Sequence, residues 1–161
     1  MANERYLEQG LVTLLKSFTQ VTELVDNSEI KAGDHRIRAY TLEKSDINPA
    51  IVFVNPDVDY SNQDDNGTIY FATAMVQVMC YGNSPEEAKD LARAVMFNGQ
   101  YQPSQGLAGY AGPAGDFTIS NARLLNESNG LVVYQDDPDD FDFVTVVAFQ
   151  IEYQVGANFQ P

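Results

Sequence analysis

Residues 68–96 read TIYFATAMVQVMCYGNSPEEAKDLARAVM, and the way this stretch divides decides the fold. Its first half, Thr68 to Tyr81, is a run of β-branched, aromatic and other apolar residues that predicts one long strand. The run stops at Gly82-Asn83, where a helix is announced three ways. Ser84 and Glu87 have the spacing of a capping box, Pro85 takes the first helical position, and Glu86 adds negative charge to the first turn. Ala88, Leu91, Ala92, Val95 and Met96 then form a single apolar stripe. A strand that delivers the chain directly into an amphipathic helix sets the frame: a sheet with a helix laid on it.

Working outward, residues 3–18 (NERYLEQGLVTLLKSF) place Leu7, Leu11, Leu14, Leu15 and Phe18 on one face of a first helix, with Asn3 as N-cap and Gly10 as an interior cost of about 1 kcal/mol. DHRIRAY, from Asp34, reads as a short strand, and AIVFVN, from Ala50, as another, with Pro56 directly after it marking an edge or a strand end. Asn66-Gly67 is the strongest hairpin signal in the chain. After the second helix, residues 98–116 hold five glycines, two prolines and one charge, the composition of a mobile loop. FTISNARLL, a turn at Glu127 to Gly130, LVVYQ and the long strand FVTVVAFQIEYQV complete a meander. The expectation is one α+β domain over residues 1–161, with a mostly antiparallel sheet of about five or six strands and two helices packed on one face.

The chain has 161 residues, 44% of them hydrophobic and 20% charged, which is the balance of a globular domain. Its net charge of −14 disfavours gripping nucleic acid, since phosphates are bound by Lys and Arg. No apolar run reaches the roughly 20 residues a membrane helix needs, so no membrane partner is expected. The start is not that of a signal peptide, and the single cysteine, Cys80, excludes an internal disulfide; synthesis in a cytoplasm fits.

The most conspicuous candidate for chemistry is YQDDPDDFDF, Tyr134 to Phe143, with five aspartates in ten residues. Asp136, Asp137, Asp139, Asp140 and Asp142 have no metal-loop frame, and Pro138 divides them. The stretch from Asp57 fails the calcium-loop pattern as well, with Asn62 where glycine is required and Thr68 where a bidentate Glu is required. The acidic stretch is therefore read as a solvated turn between two strands, its charges resisting edge-to-edge association. His35, the only histidine, adjoins Asp34 on a strand, where neighbouring side chains point apart. Cys80, in an apolar strand, reads as a small buried hydrophobe. Gly106, Gly109 and Gly112 lack the strand–turn–helix setting of a phosphate loop. The expectation is no catalytic residue, no metal and no cofactor.

The informative feature is apolar surface. In the 68–81 strand, Tyr70, Ala72, Ala74, Val76, Val78 and Cys80 share one face, while Ile69, Phe71, Thr73, Met75, Gln77, Met79 and Tyr81 share the other. The last strand is apolar on one face from Phe141 to Val155 and still offers Val144, Val146 and Ala148 on its other side. Two helices cover one face of such a sheet, not both, and exposed apolar patches mark interaction sites. Ile69, Phe71, Met75, Met79 and Tyr81 are accordingly the candidate subunit interface. The competing possibility is that the sheet curls, or that the tyrosine-bearing loop folds across it.

The segment Val76 to Met96 resembles the most recognisable stretch of the tail terminator, or tail completion, proteins of long-tailed bacteriophages. The similar features are a strand ending in Cys80-Tyr81, a short turn, and a helix with acidic residues at its start carrying Glu87-Ala88 and Leu91-Ala92. The flanks are similar too: an N-terminal helix, HRIRAY before a polar linker, PAIVFV after it, and the closing strand TVVAFQIEYQ. The resemblance implies a virion protein at the head–tail junction, made in a bacterial host. It implies a homo-oligomeric ring, generally a hexamer, which caps the tail tube, stops its polymerisation and joins the head connector. DNA would pass an acidic lumen without specific binding. The loop at 98–116 and the acidic hairpin at 134–143 depart from the family pattern. They are expected to dock on the tube protein or the connector, through Tyr101, Leu107, Tyr110, Asp136, Asp137, Asp139 and Asp140. A head–tail connector or stopper component shares the same ring logic. A monomeric acidic DNA mimic is the reading from another class, disfavoured because the acids gather in turns.

Overall fold

The computed structural model describes residues 6–42, 46–60, 71–99, 105–134 and 137–154, with the backbone alone described at 55, 133, 134 and 137–140. Three helices and six strands form one α+β unit. The helices are α1 (Leu7–Leu15), α2 (Thr19–Leu24) and α3 (Pro85–Phe97). The strands are β1 (Ile37–Arg38), β2 (Ala50–Asp59), β3 (Phe71–Gly82), β4 (Gly112–Ala114), β5 (Phe117–Tyr134) and β6 (Asp137–Gln154). They lie in one sheet in the order β1-β2-β3-β6-β5-β4. Every neighbouring pair is antiparallel except β1 with β2.

From Phe71 onward the decisive stretch folds as a strand and then a helix, and Thr68 to Tyr70 lie outside the described residues. Along β3, Ala72, Ala74, Val76, Val78 and Cys80 are buried under the helices, and the strand gives way to α3 within two residues. The Ser84 hydroxyl accepts from the Glu87 N–H at 3.1 Å, and Asn98 closes the helix in the left-handed region. The box is offset by one residue, because the Glu87 carboxylate accepts from the Asn83 N–H at 3.1 Å. Gly82 has no room for a side chain, since a Cβ there would lie 2.5 Å from the Ala88 nitrogen.

The first helix is broken, not continuous. Leu7, Leu11, Leu14, Leu15 and Phe18 are all buried as the stripe predicts. The chain nevertheless tightens after Leu15, with Ser17 and Phe18 donating to carbonyls three residues back. The Ser17 hydroxyl adds a bond to the Leu14 carbonyl at 2.6 Å, offering the backbone an alternative to the helix. The helix starts after Tyr6, whose N–H donates to Gln9 Oε1, and the expected cap Asn3 lies outside the described residues. Gly10 is needed where it stands. A Cβ there would lie 2.4 Å from the Ala114 carbonyl oxygen, so its absence lets β4 meet α1.

Four further expectations are corrected. β1 is only two residues long, and it is parallel to its neighbour. Of the two readings at Pro56, the strand end is the one corrected: β2 runs on to Asp59 with a register shift between Val54 and Asp57 that accommodates the residue lacking an N–H, and past Val52 it is an edge among the described residues. No turn interrupts β5 at Glu127 to Gly130. β6 pairs with it through that whole span, and the buried Thr145 hydroxyl donates to Asn129 Oδ1 at 2.8 Å. The latter part of the 98–116 loop is packed, not free. Leu107 and Ala108 N–H groups bond the Val95 and Met96 carbonyls, which the end of α3 would otherwise leave unpaired. The Asn66-Gly67 turn lies outside the described residues.

The sheet curls round the helices. α1 touches β1 and β2 at one side of the sheet and β4 at the other, so the helix-bearing face is concave and holds the core. Ile51, Phe53, Val147, Phe149 and Ile151 line it from the strands, and Leu11, Leu15, Leu91 and Val95 from the helices. Glu8 is buried beside it among tyrosines: it accepts a hydrogen bond from Tyr40, and Tyr153 bonds Tyr60 nearby.

Candidate functional site: the open sheet face

Because side chains alternate along a strand, burying Ala72 to Cys80 forces Phe71, Thr73, Met75, Gln77, Met79 and Tyr81 onto the opposite face. Register then says what stands beside them. Met79 faces Val52 on β2 and Val146 on β6, Gln77 faces Val54 and Ala148, and Met75 faces Asp57 and Gln150. Among the described residues, no helix covers this side. Phe71 is 45% exposed and Met75 47% exposed, values unusual for large apolar side chains in mid-sheet. Met79 and Tyr81 are half-buried, because the face is hollowed at their end.

That hollow has a volume of 370 Å³, floored by Val52, Val54, Met79 and Tyr81, with Tyr40 and Leu42 on one wall and Val132 on the other. A smaller hollow of 170 Å³ adjoins it between Val54, Asp57, Met75, Gln77 and Ala148. The rim is acidic. Asp57 and Asp59 stand on β2 and Glu152 on β6. The Tyr81 phenol is pushed above its ordinary pKa, first by burial and then by the negative charge of Asp142. The whole is an apolar strip, hollowed at one end and edged by carboxylates. Such a surface fits another protein surface better than a small polar substrate.

The residues proposed from sequence divide by place. Phe71, Met75, Met79 and Tyr81 come together on this face, while Ile69 lies outside the described residues. The loop residues do not join them. Leu107 is fully buried in the core, so its assignment to docking is corrected; its apolar side chain anchors the loop under α3. Tyr110 is held down as well, its ring edge-on to Phe18 and its hydroxyl donating to the Pro113 carbonyl. Tyr101 and Asp136 lie outside the described residues, as do the side chains of Asp137, Asp139 and Asp140, whose backbone begins β6. Sequence reading missed Val52, Val54, Tyr40, Leu42 and Val132. The alternation in AIVFVN, with Ile51 and Phe53 on one side and Val52 and Val54 on the other, carried the signal for two of them.

The groups weighed for chemistry are used structurally. The Asp34 carboxylate accepts from Arg38, Asn27 and the His35 backbone N–H, and the Arg38 guanidinium holds its pKa well below the usual range. Arg38 also bonds Asp46, whose side chain has no exposed surface. Arg36 is buried with its guanidinium on the carbonyls of Pro49, Asp26 and Leu24. Cys80 is fully buried, which pushes its thiol up and keeps it un-ionised. Among the described residues, no three His, Cys, Asp or Glu side chains gather to hold a metal ion.

Fold and site together define a small α+β domain with one sheet face under helices and the other apolar and uncovered. No protein-family model matches this sequence, and a search of curated proteins finds no match.

Proposed function

We propose that this protein is a ring-forming tail terminator of a long-tailed phage, a non-enzymatic assembly protein at the head–tail junction. The observation that carries the reading is the open face of β2, β3 and β6, with Phe71 and Met75 nearly half exposed. A closed ring of identical subunits covers one such face on every copy at once by seating it on a different surface of the next. The resemblance over Val76 to Met96 supplies the tail terminator identity, and the net charge of −14 suits a lumen through which DNA passes without sticking.

The test has two arms. Sedimentation velocity across a wide concentration range should give a discrete species near six subunits, and Met75→Glu should return it to smaller species without altering the circular dichroism. In the second arm, purified tail tubes are mixed with the protein and their ends examined by electron microscopy. A chain that stays single in solution and also leaves tube ends bare sinks the proposal. Binding to the head connector but not to tubes would reassign it to the stopper side of the joint.

A further inference from the structure

The other unsatisfied feature of the molecule is an edge of the sheet. β4 pairs with β5 only at Phe117 to Ile119, and Gly109 donates to the Ala122 carbonyl. Beyond Ala122, among the described residues, nothing pairs with the outer side of β5, although the strand continues to Tyr134. Past the bulge at Leu125, residues 126–134 run in regular register with β6 apart from a shift at the very tip. At about 3.4 Å per residue these nine positions present about 30 Å of open backbone donors and acceptors. Their sequence, NESNGLVVY, has no proline or lysine and a single charge, Glu127. The devices that normally protect an edge are missing.

The opposite edge of the same sheet is protected. β2 carries Pro56, which has no N–H to donate, a register shift between Val54 and Asp57, and exposed carboxylates at Asp57 and Asp59. Pairing β5 of one copy with β2 of the next would meet all three. Pairing β5 with β5 meets none. Residues 126–134 themselves carry a single charge, Glu127, whereas the exposed side of β2 carries Asp57 and Asp59.

We infer that the free edge of β5 is a seam with a second copy of this chain, the two β5 strands pairing antiparallel about a two-fold axis at Gly130. That register uses residues 126–134 of each copy in full. It also brings Arg123, exposed at the base of each arm, to the tip of the other's arm, where β6 begins with Asp137, Asp139 and Asp140. The apolar side of the arm gains cover too: Leu131 is 52% exposed and Phe141 46% exposed. The seam uses the sheet edge, not the open face, and does not depend on the ring.

The test exploits the axis, because a residue on a two-fold meets its own copy. Gly130→Cys has room, as a Cβ there meets only Val144 at 3.6 Å, and the native Cys80 is buried away from oxidant. Mild oxidation of the full chain should convert Gly130→Cys to a covalent dimer, while Asn121→Cys, exposed on the same strand but off the axis, stays single. Leu131→Lys, which plants a charge on the edge, should weaken the two-copy species at least tenfold in sedimentation equilibrium with the circular dichroism unchanged. Failure of Gly130→Cys to cross-link, or association untouched by Leu131→Lys, overturns the seam. Loss of association by Met75→Glu alone, with Leu131→Lys inert, overturns it while leaving the ring standing.

Discussion

At the residue scale, the largest commitments are made by charged side chains held in ion pairs and hydrogen bonds. Arg38 reaches two carboxylates at once, Asp34 through Nη1 and Nη2 at 3.1 and 2.8 Å, and Asp46 through Nε and Nη2 at 3.0 and 2.8 Å. Removing it takes from Asp46 a guanidinium that bonds both of its oxygens in a site closed to water. Arg38→Ala should therefore cost about 3 kcal/mol or more in chemical denaturation, and Arg38→Lys, which lacks the planar fork, should recover only part of it. Asp34 adds a pH signature. Its folded pKa is depressed, so its contribution is full above the unfolded carboxylate range of about 4 and fades as pH falls toward the folded value. Wild type should exceed Asp34→Asn in stability at neutral pH, and the gap should close below about pH 4; a gap independent of pH would dismiss this account. On the alkaline side the sign reverses. Burial raises the Tyr40 and Tyr153 phenols, so stability is intact below the ordinary tyrosine range of about 10 and is lost as pH climbs above it. A tyrosinate titration should show the buried Tyr153 phenol ionising only with unfolding.

At the element scale, the securest unit is α3, and its cap is testable. Ser84→Ala removes one acceptor from the first turn and should cost about 1 kcal/mol by thermal or urea unfolding, with assembly unchanged. Leu107→Ala should cost far more, about 2–5 kcal/mol, because the loop side chain fills the core beneath that helix. What the sequence made legible follows from this difference. Ser84, Pro85 and the stripe behind them are local signals, read within one turn, and so was the alternation that split β3 into a buried and an open face. Leu107 carried no local signal, since its burial is dictated by the α3 carbonyls and by Gly106, where a Cβ would lie 2.5 Å from the Met96 backbone. β5 was misread for a related reason. Exposed Asn126 to Gly130 have a turn-like composition, and only the unbroken partner strand β6 holds them extended. Arg36 and Arg38 looked like the polar half of a strand, although carbonyls and carboxylates from distant segments make them interior residues.

At the scale of the whole molecule, charge and apolar surface oppose each other, and salt separates them. Each copy carries −14, so bringing two together costs repulsion that acts across the whole surface. The open face gains by burying apolar area, a term nearly indifferent to moderate salt, while ion pairs at a surface are each worth about 1 kcal/mol or less. Raising ionic strength from about 0.01 to 0.15 M shortens the screening length from about 30 to about 8 Å, which removes most of the long-range repulsion and little of the apolar gain. Association should therefore strengthen with salt, seen as a shift of the weight-average sedimentation coefficient to larger species at fixed protein concentration. Arg123→Glu should steepen that dependence, because it makes every copy more negative, whereas Met75→Glu should weaken assembly at every salt concentration. Association that weakened as salt rose would mean that ion pairs, not the apolar face, hold the copies together, and the open face would lose its place as the main contact.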